Sequence, residues 1–515
     1  MRFADKVALN ILAKTMGSGL LIVSSIIMTR YLAKDTYGTY LQAMLLVNTV
    51  VMLSFVGLPQ SFYYFFQQTG NKRRFIARNV LFGVTIGILV FLLMVIFKTA
   101  LARMLGNTAL ENYVLLLALI VLLQSPLCFK EAIFYSTDAL IASSLCSVTG
   151  AVIDYLPLYY AVISGWSLKQ MFLVFIASKV VNLAVFFLLL KKYSLDHLPR
   201  GGSEEQGESI SIMDQVRYAI PIGGAGYVGV VGSQVDKYIV SNVFSAEQFA
   251  VYSRGAMEVP FISTITYMLN DITLPRYVAA YKTRDIPQLL GLMHSNIDKV
   301  AKINLAVFAF LFVQAPLLIE ILYTRQYIEA APIFRIYLGS LLFGVTVYNM
   351  IPTVTGNTHI LFKTTLFSTT IKILLCWGLI HLWGTMGVAI GVILETLLHT
   401  AYRLFYCVRI LKVGWSEIMP WGNTARIGLV AAASGAVMGL GQWLLGLLGM
   451  SGNLLTFCLS FIFFCYIYLF VLHSTHILHD EDRAFLKRWL RFDPFLFMPH
   501  LSHRAASPCK GETDA

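Results

Sequence analysis

The sequence predicts an all-α polytopic membrane protein of about fourteen transmembrane helices, in two six-helix bundles plus an appended C-terminal hairpin. Three observations predict it. The 515 residues are 57% hydrophobic and only 13% charged, with a mean hydropathy of +0.71, whereas soluble domains carry ~25% charged residues. Apolar stretches of bilayer-crossing length, ~20 residues each, recur along the whole chain. Finally, two passages offset by 212 residues share one layout: an apolar span, a short polar turn, then another apolar span. The first turn reads Asp35-Thr36-Tyr37-Gly38-Thr39-Tyr40 and the second Glu247-Gln248-Phe249-Ala250-Val251-Tyr252. The shared pattern is acid, any, aromatic, small, any, tyrosine. A repeat of this length among membrane spans points to two structural halves around a central pathway.

In order, the spans fall near 8–30, 39–67, 79–98, 110–130, 138–163, 168–190, 214–242, 248–272, 300–323, 331–353, 361–381, 385–411, 424–447 and 453–473. Connections are short. The longest clearly polar one, 191–213, falls between spans six and seven, where two six-helix halves would join. The expected organisation is therefore a bundle over 1–190, a linker over 191–213, a second bundle over 214–412, a hairpin over 413–475 and a tail over 476–515. The first span carries Lys14 and lacks a small-residue cleavage site, so it reads as a retained helix.

Basic residues set the orientation. The formal charge is +12, which in a soluble chain would suggest nucleic acid. Here Lys72, Arg73, Arg74, Arg78, Lys191, Lys192, Arg200, Lys282, Arg284, Arg409, Lys412 and Arg426 gather on one side. The tail adds Arg483, Lys487, Arg488 and Arg491 to them, while the opposite turns carry only Arg30, Lys34, Lys98, Arg103, Lys169 and Arg325. The positive-inside rule then puts both termini in the cytoplasm and accounts for the surplus without nucleic acid. The seven cysteines are scattered with no CxxC pair, so neither a disulfide framework nor a zinc site is expected. His359, His381 and His399 lie near span ends at no ligand spacing, and no metal site is expected from them.

The segments TRYLAKDTYGTYLQAMLL (29–46), VGLPQSFYYFF at the end of span two and QVDKYIVSNVFSAEQFAVYSRGAM (234–257) resemble bacterial polysaccharide flippases. These are the Wzx-type O-antigen and capsule transporters of the multidrug/oligosaccharidyl-lipid/polysaccharide exporter superfamily. The stretch from TVTGNTHILFK through WGTMGVAIGVILE (353–395) resembles that family's second half. The resemblance implies a lipid-linked oligosaccharide, carried on undecaprenyl diphosphate, moved from the cytoplasmic to the periplasmic leaflet of a bacterial inner membrane. It implies membrane lipids as partners, with polysaccharide polymerase and chain-length proteins as further candidates. No cofactor is implied beyond a coupling proton or sodium ion.

Charges inside spans are costly and usually face a cavity or a partner. Spans seven and eight supply Asp236, Lys237, Arg254 and Glu258. Asp236 and Arg254 each lie about 9 Å along the helix from the same turn, so they can meet across the hairpin. Span one adds Lys14 and Arg30. One reading makes Lys14, Arg30, Lys237 and Arg254 a cationic cavity for a diphosphate and sugar headgroup, where the planar arginine fork suits phosphate oxygens. The other has Arg30 snorkelling to the interface and Arg254 paired with Glu258 at i,i+4. A second constellation places Asp154 with Lys179, 25 residues apart, and Lys372 with Glu395, 23 apart, each in consecutive antiparallel spans. These pairs either lock the helices or carry ion coupling. Span seven holds Pro221, Gly223, Gly224, Gly226, Gly229 and Gly232, and Pro260 and Pro59 sit in spans eight and two. The glycines serve either bending or close helix packing.

Three function classes follow. A lipid-linked oligosaccharide flippase leads, with a lipid II flippase sharing its plan. A cation-coupled multidrug exporter has the same topology, but such exporters usually bind cationic drugs in acidic or aromatic cavities. A membrane polymerase or ligase would need a sizeable periplasmic loop, and every predicted outside connection is short, so no catalytic residues are assigned.

Overall fold

The computed structural model describes residues 3–198, 210–259, 262–345, 350–357, 359–447 and 454–478. Its helices are α1 (Phe3–Tyr31), α2 (Lys34–Ser54), α3 (Leu58–Phe66), α4 (Lys72–Ile96), α5 (Lys98–Met104), α6 (Val114–Gln124), α7 (Lys130–Ser136), α8 (Leu140–Ile163) and α9 (Leu168–Tyr193) in the first half. The second half continues with α10 (Ile212–Val243), α11 (Ala246–Gly255), α12 (Ile262–Lys282), α13 (Ile286–Tyr323), α14 (Ala330–Phe343), α15 (Met350–Val354) and α16 (His359–Leu411). Last come α17 (Trp421–Leu447) and α18 (Leu454–Ser474). No β-strand occurs among the described residues.

Local chemistry sets many of these starts. Asn71, Ser167, Ser211, Ser245 and Asp285 each accept a backbone N–H of the following first turn, opening α4, α9, α10, α11 and α13. Such caps satisfy donors that a helix start leaves unpaired. At Ser167 and Ser211 the bond is reciprocal, with Gln170 and Asp214 reaching back.

Among the described residues, ten helical segments are long and apolar enough to cross a membrane. One of them, α16, is two predicted spans in one: the chain folds back at Trp383 and Gly384, where Gly384 takes φ +58°. That left-handed conformation favours glycine. Its arms run antiparallel and close together, because the Cys376 Sγ–H donates to the Val388 carbonyl at 3.6 Å. The predicted spans seven, eight and ten, corresponding to α10, α11–α12 and α14–α15, fall short of the length-and-apolarity test. α10 is long but rich in glycine and polar residues. Span eight is broken rather than continuous: residues 256–259 leave helical form between α11 and α12. Pro260, predicted to bend this span, lies outside the described residues, as do 199–209 of the predicted linker and the basic tail residues.

α10 itself runs unbroken, and Gly223, Gly226 and Gly232 are closely packed. A Cβ on Gly226 would lie 2.7 Å from Val56 Cγ1, and one on Gly232 would lie 2.4 Å from Thr369 Oγ1. Pro59 opens the short α3 after the break that ends α2.

The two six-helix bundles meet along α2, α3 and α5 on one side and α10 and α11 on the other. α17 and α18 stand outside the second bundle, packed on α13, where Phe310 is ringed by Phe457, Phe461 and Phe464. The described ends of the interbundle linker both dock at the foot of α4: Arg73 donates to the Leu195 carbonyl and Arg78 to the Ile210 carbonyl. We call this the linker end of the molecule and the opposite one the repeat-turn end.

Candidate functional site

The two repeat turns found in the sequence lie against each other. Gly38 on α2 is pressed to α11 so closely that a Cβ there would sit 1.8 Å from the Ala246 carbonyl oxygen. Only glycine fits. Around this contact Lys34 pairs with Glu247 at 3.3 Å. Gln42 donates to Ser241 Oγ at 3.0 Å and to the Leu105 carbonyl at 3.2 Å, and Asn242 donates to the Arg103 carbonyl at 3.1 Å. Arg30 donates to the Ile321 carbonyl at 3.0 Å, tying α1 to α13. The bundles are therefore joined at the repeat-turn end by polar bonds as well as packing.

Arg254, at the last turn of α11, sits inside this junction. Its guanidinium lies 5.5 Å from the Tyr37 ring centroid and 5.4 Å from that of Tyr323. Tyr37 is fully buried and meets Tyr327 edge-on at 6.4 Å. The Nε of Arg254 is buried and donates to nothing. Tyr327, outside the spans, has its phenol pushed above the usual tyrosine range by burial.

The expected Asp236–Arg254 pair is not formed. Asp236 is 4% exposed and accepts from the Tyr252 hydroxyl at 3.0 Å and the Tyr337 hydroxyl at 2.7 Å. The reason is local: Tyr252 stands two residues before Arg254 and points across to α10, so the arginine turns the other way, toward α2 and α13. Nor does Arg254 pair with Glu258. α11 stops at Gly255 and Glu258 falls in the unwound stretch, exposed, so no helical i,i+4 geometry exists there. Lys237 is partly buried and, among the described residues, forms no ion pair. Lys14 bonds Glu131 at 3.1 Å and lies 5.6 Å from the Tyr135 ring centroid.

Both predicted cross-helix pairs form. Lys179 donates to Asp154 Oδ2 at 2.9 Å, and Asn182 donates to Asp154 Oδ1 at 2.8 Å. In the second bundle Lys372 lies 3.7 Å from Glu395. Glu395 also accepts from the Ser368 hydroxyl and has His399 Nδ1 at 3.5 Å.

Sequence reasoning missed Glu131, Asn182, Tyr323, Tyr337 and His399. Glu131 and His399 carried a usable signal, an acid inside an apolar span and an i+4 spacing from Glu395. The tyrosines carried none, because their partners are remote in sequence.

The helical halves, the close-packed repeat turns and the bundle of apolar helices define an all-helical multi-pass membrane protein. The polysaccharide biosynthesis protein family model matches residues 27–332, more than half of the sequence, and the chain belongs to that family. Among solved structures, one titled "Lipid II flippase MurJ, inward closed conformation" superposes with TM-score 0.65 at 14% identity, covering 94% of this chain and 100% of the other. An inward-facing multidrug resistance MATE family transporter of the MOP superfamily gives TM-score 0.56 at 14% identity over 79% of this chain and 98% of its own. The eukaryotic MATE transporter AtDTX14 gives TM-score 0.56 at 12% identity over 83% and 98%. At such identities these likenesses speak for the fold alone. No curated protein matches the sequence.

Proposed function

We propose that this chain flips an undecaprenyl-diphosphate-linked oligosaccharide, an O-antigen, capsule or exopolysaccharide repeat unit, from the cytoplasmic to the periplasmic leaflet of a bacterial inner membrane. It works by alternating access between bundles 1–190 and 214–412, with the hairpin at 413–475 outside them and both termini cytoplasmic. It is not an enzyme. The observation that carries the reading is Arg254: a guanidinium at the junction of the two bundles, stacked on aromatic rings, with no carboxylate partner and a free buried Nε–H. A cation held by tyrosines, with ring contacts at ~0.5–2 kcal/mol each and no carboxylate among the described residues, can be taken over by a diphosphate, which bonds the arginine fork bidentately. Lys237, without an ion pair among the described residues, adds charge in the same segment, and Lys14 and Arg30 line the path from α1. A cationic junction disfavours cationic drugs, which sets the multidrug reading aside.

In this mechanism Lys34–Glu247, Gln42–Ser241 and Asn242–Arg103 close the periplasmic side, and their release opens it. Cargo phosphate draws Arg254 off Tyr37 and Tyr323, loosening the contact between the repeat turns. Asp154–Lys179 and Lys372–Glu395 keep their helices paired as the bundles rock. The test is surface glycan in strains carrying variants at normal membrane abundance. Arg254→Ala should abolish export and Arg254→Lys should retain part, since lysine keeps the charge and loses the fork. Normal surface glycan from Arg254→Ala would refute the assignment.

A further inference from the structure

The first bundle contains a cavity of its own, 340 Å³ in volume, between α1, α6, α7, α8 and α9. Its lining includes none of Arg254, Tyr37 and Tyr323. Its size is at the lower end of the ~300–1,000 Å³ range of small-molecule sites. That suits one or two rings, far less than a whole glycan repeat. Three charged side chains line it: Lys130, Asp154 and Lys179. Asp154 is fully engaged, with one oxygen on Lys179 and the other on Asn182. Lys179 is used by the same bond. Lys130, among the described residues, forms no ion pair; its neighbour Glu131 is taken by Lys14. The lining therefore has one uncompensated positive charge.

Asn182 is 7% exposed, and its Oδ1 accepts no hydrogen bond. Gln124 and Ser147 add polar groups to the lining, and Tyr155 adds a ring face. A metal cation does not fit, because the only carboxylate is already neutralised and two ammonium groups repel it. A neutral apolar ligand would leave Lys130, Gln124 and Ser147 unserved.

We propose that this cavity is a subsite for a single acidic sugar ring, a hexuronate. Its carboxylate meets Lys130, its hydroxyls bond the Gln124 and Ser147 side chains, and the Tyr155 ring covers one face. This rests on the flippase reading only for the source of the sugar, an acidic residue of the cargo glycan. The cavity's specificity then selects which glycans the protein accepts.

The test is equilibrium binding of free glucuronate to the purified full chain in lipid nanodiscs, with glucose and acetate as controls. Wild type should bind glucuronate at least tenfold more tightly than either control. Lys130→Met should weaken glucuronate about tenfold, equivalent to 1.4 kcal/mol, with the melting temperature preserved, and Lys130→Arg should restore it. No binding to wild type, equal binding of acetate, or unaltered affinity in Lys130→Met would each overturn the subsite. Glucuronate binding that depends on Lys130, in a protein whose Arg254→Ala variant still exports glycan, would uphold the subsite and refute the flippase site instead.

Discussion

Asp236 and Arg254 were expected to neutralise each other, and each instead found tyrosines. The Asp236 carboxylate is held by two phenol hydroxyls whose oxygens lie 2.7 Å apart. Removing one donor, as in Tyr337→Phe, leaves a buried charge less satisfied, so the melting temperature in detergent should fall by the equivalent of ~1–3 kcal/mol. An unchanged melting curve would mean that the bond to α14 adds nothing. The Lys372–Glu395 pair allows a sharper test. Removing one partner of a buried pair costs ~3–5 kcal/mol, whereas replacing both by residues of similar volume is often tolerated. Lys372→Met alone should therefore reduce folded protein, and Lys372→Met with Glu395→Gln should restore both abundance and export. An abundant, correctly inserted and inactive double variant would show that Glu395 carries an ion rather than a lock. The cross-helix pairs were legible because consecutive helices with a short turn impose a spacing. Asp236's partner Tyr337 lies 101 residues away, and no spacing rule reaches that far.

At the scale of elements, the repeat motif was the most informative feature of the sequence, and its small position has a physical cause. Gly38 is small because α11's backbone occupies the space where a side chain would be. Gly38→Val should force α2 from α11 and destabilise the junction by ~1–3 kcal/mol or more, as overpacking does, read as a lower melting temperature and early loss of export. Cysteines at Lys34 and Glu247 joined by a short thiol crosslinker should block export reversibly if the repeat turns must part during transport; unimpaired export while crosslinked would mean that this end never opens. The breaks were harder to read. The fold-back in α16 is marked by Trp383-Gly384, but a glycine inside an apolar run is common. The unwound stretch at 256–259 has no local signal, and Pro260, the nearest one, lies outside the described residues. α10 showed the converse: a run of glycines that looks like a hinge is an uninterrupted helix, in which Gly223 and Gly226 sit against Val56 and Gly232 against Thr369.

For the whole molecule, hydropathy gave the all-helical membrane fold, because a bilayer-crossing helix must satisfy its backbone internally and expose apolar side chains, and the repeat and the central linker gave its two halves. The three predicted spans that fall short of a simple apolarity test, α10, α11–α12 and α14–α15, belong to the helices that form or adjoin the junction. Helices that carry polar work look least like membrane helices. The positive-inside pattern further predicts that a cysteine at Ser203 is labelled by an impermeant thiol reagent only from the cytoplasmic side. The central claim is transbilayer movement of a lipid-linked glycan, and reconstitution tests it most directly. Purified protein in proteoliposomes, supplied with undecaprenyl-diphosphate-linked oligosaccharide in the inner leaflet, should make that glycan accessible to an external glycan-modifying enzyme. Arg254→Ala proteoliposomes should stay at the protein-free background. Equal exposure of glycan by the wild type, the variant and empty liposomes would contradict the account.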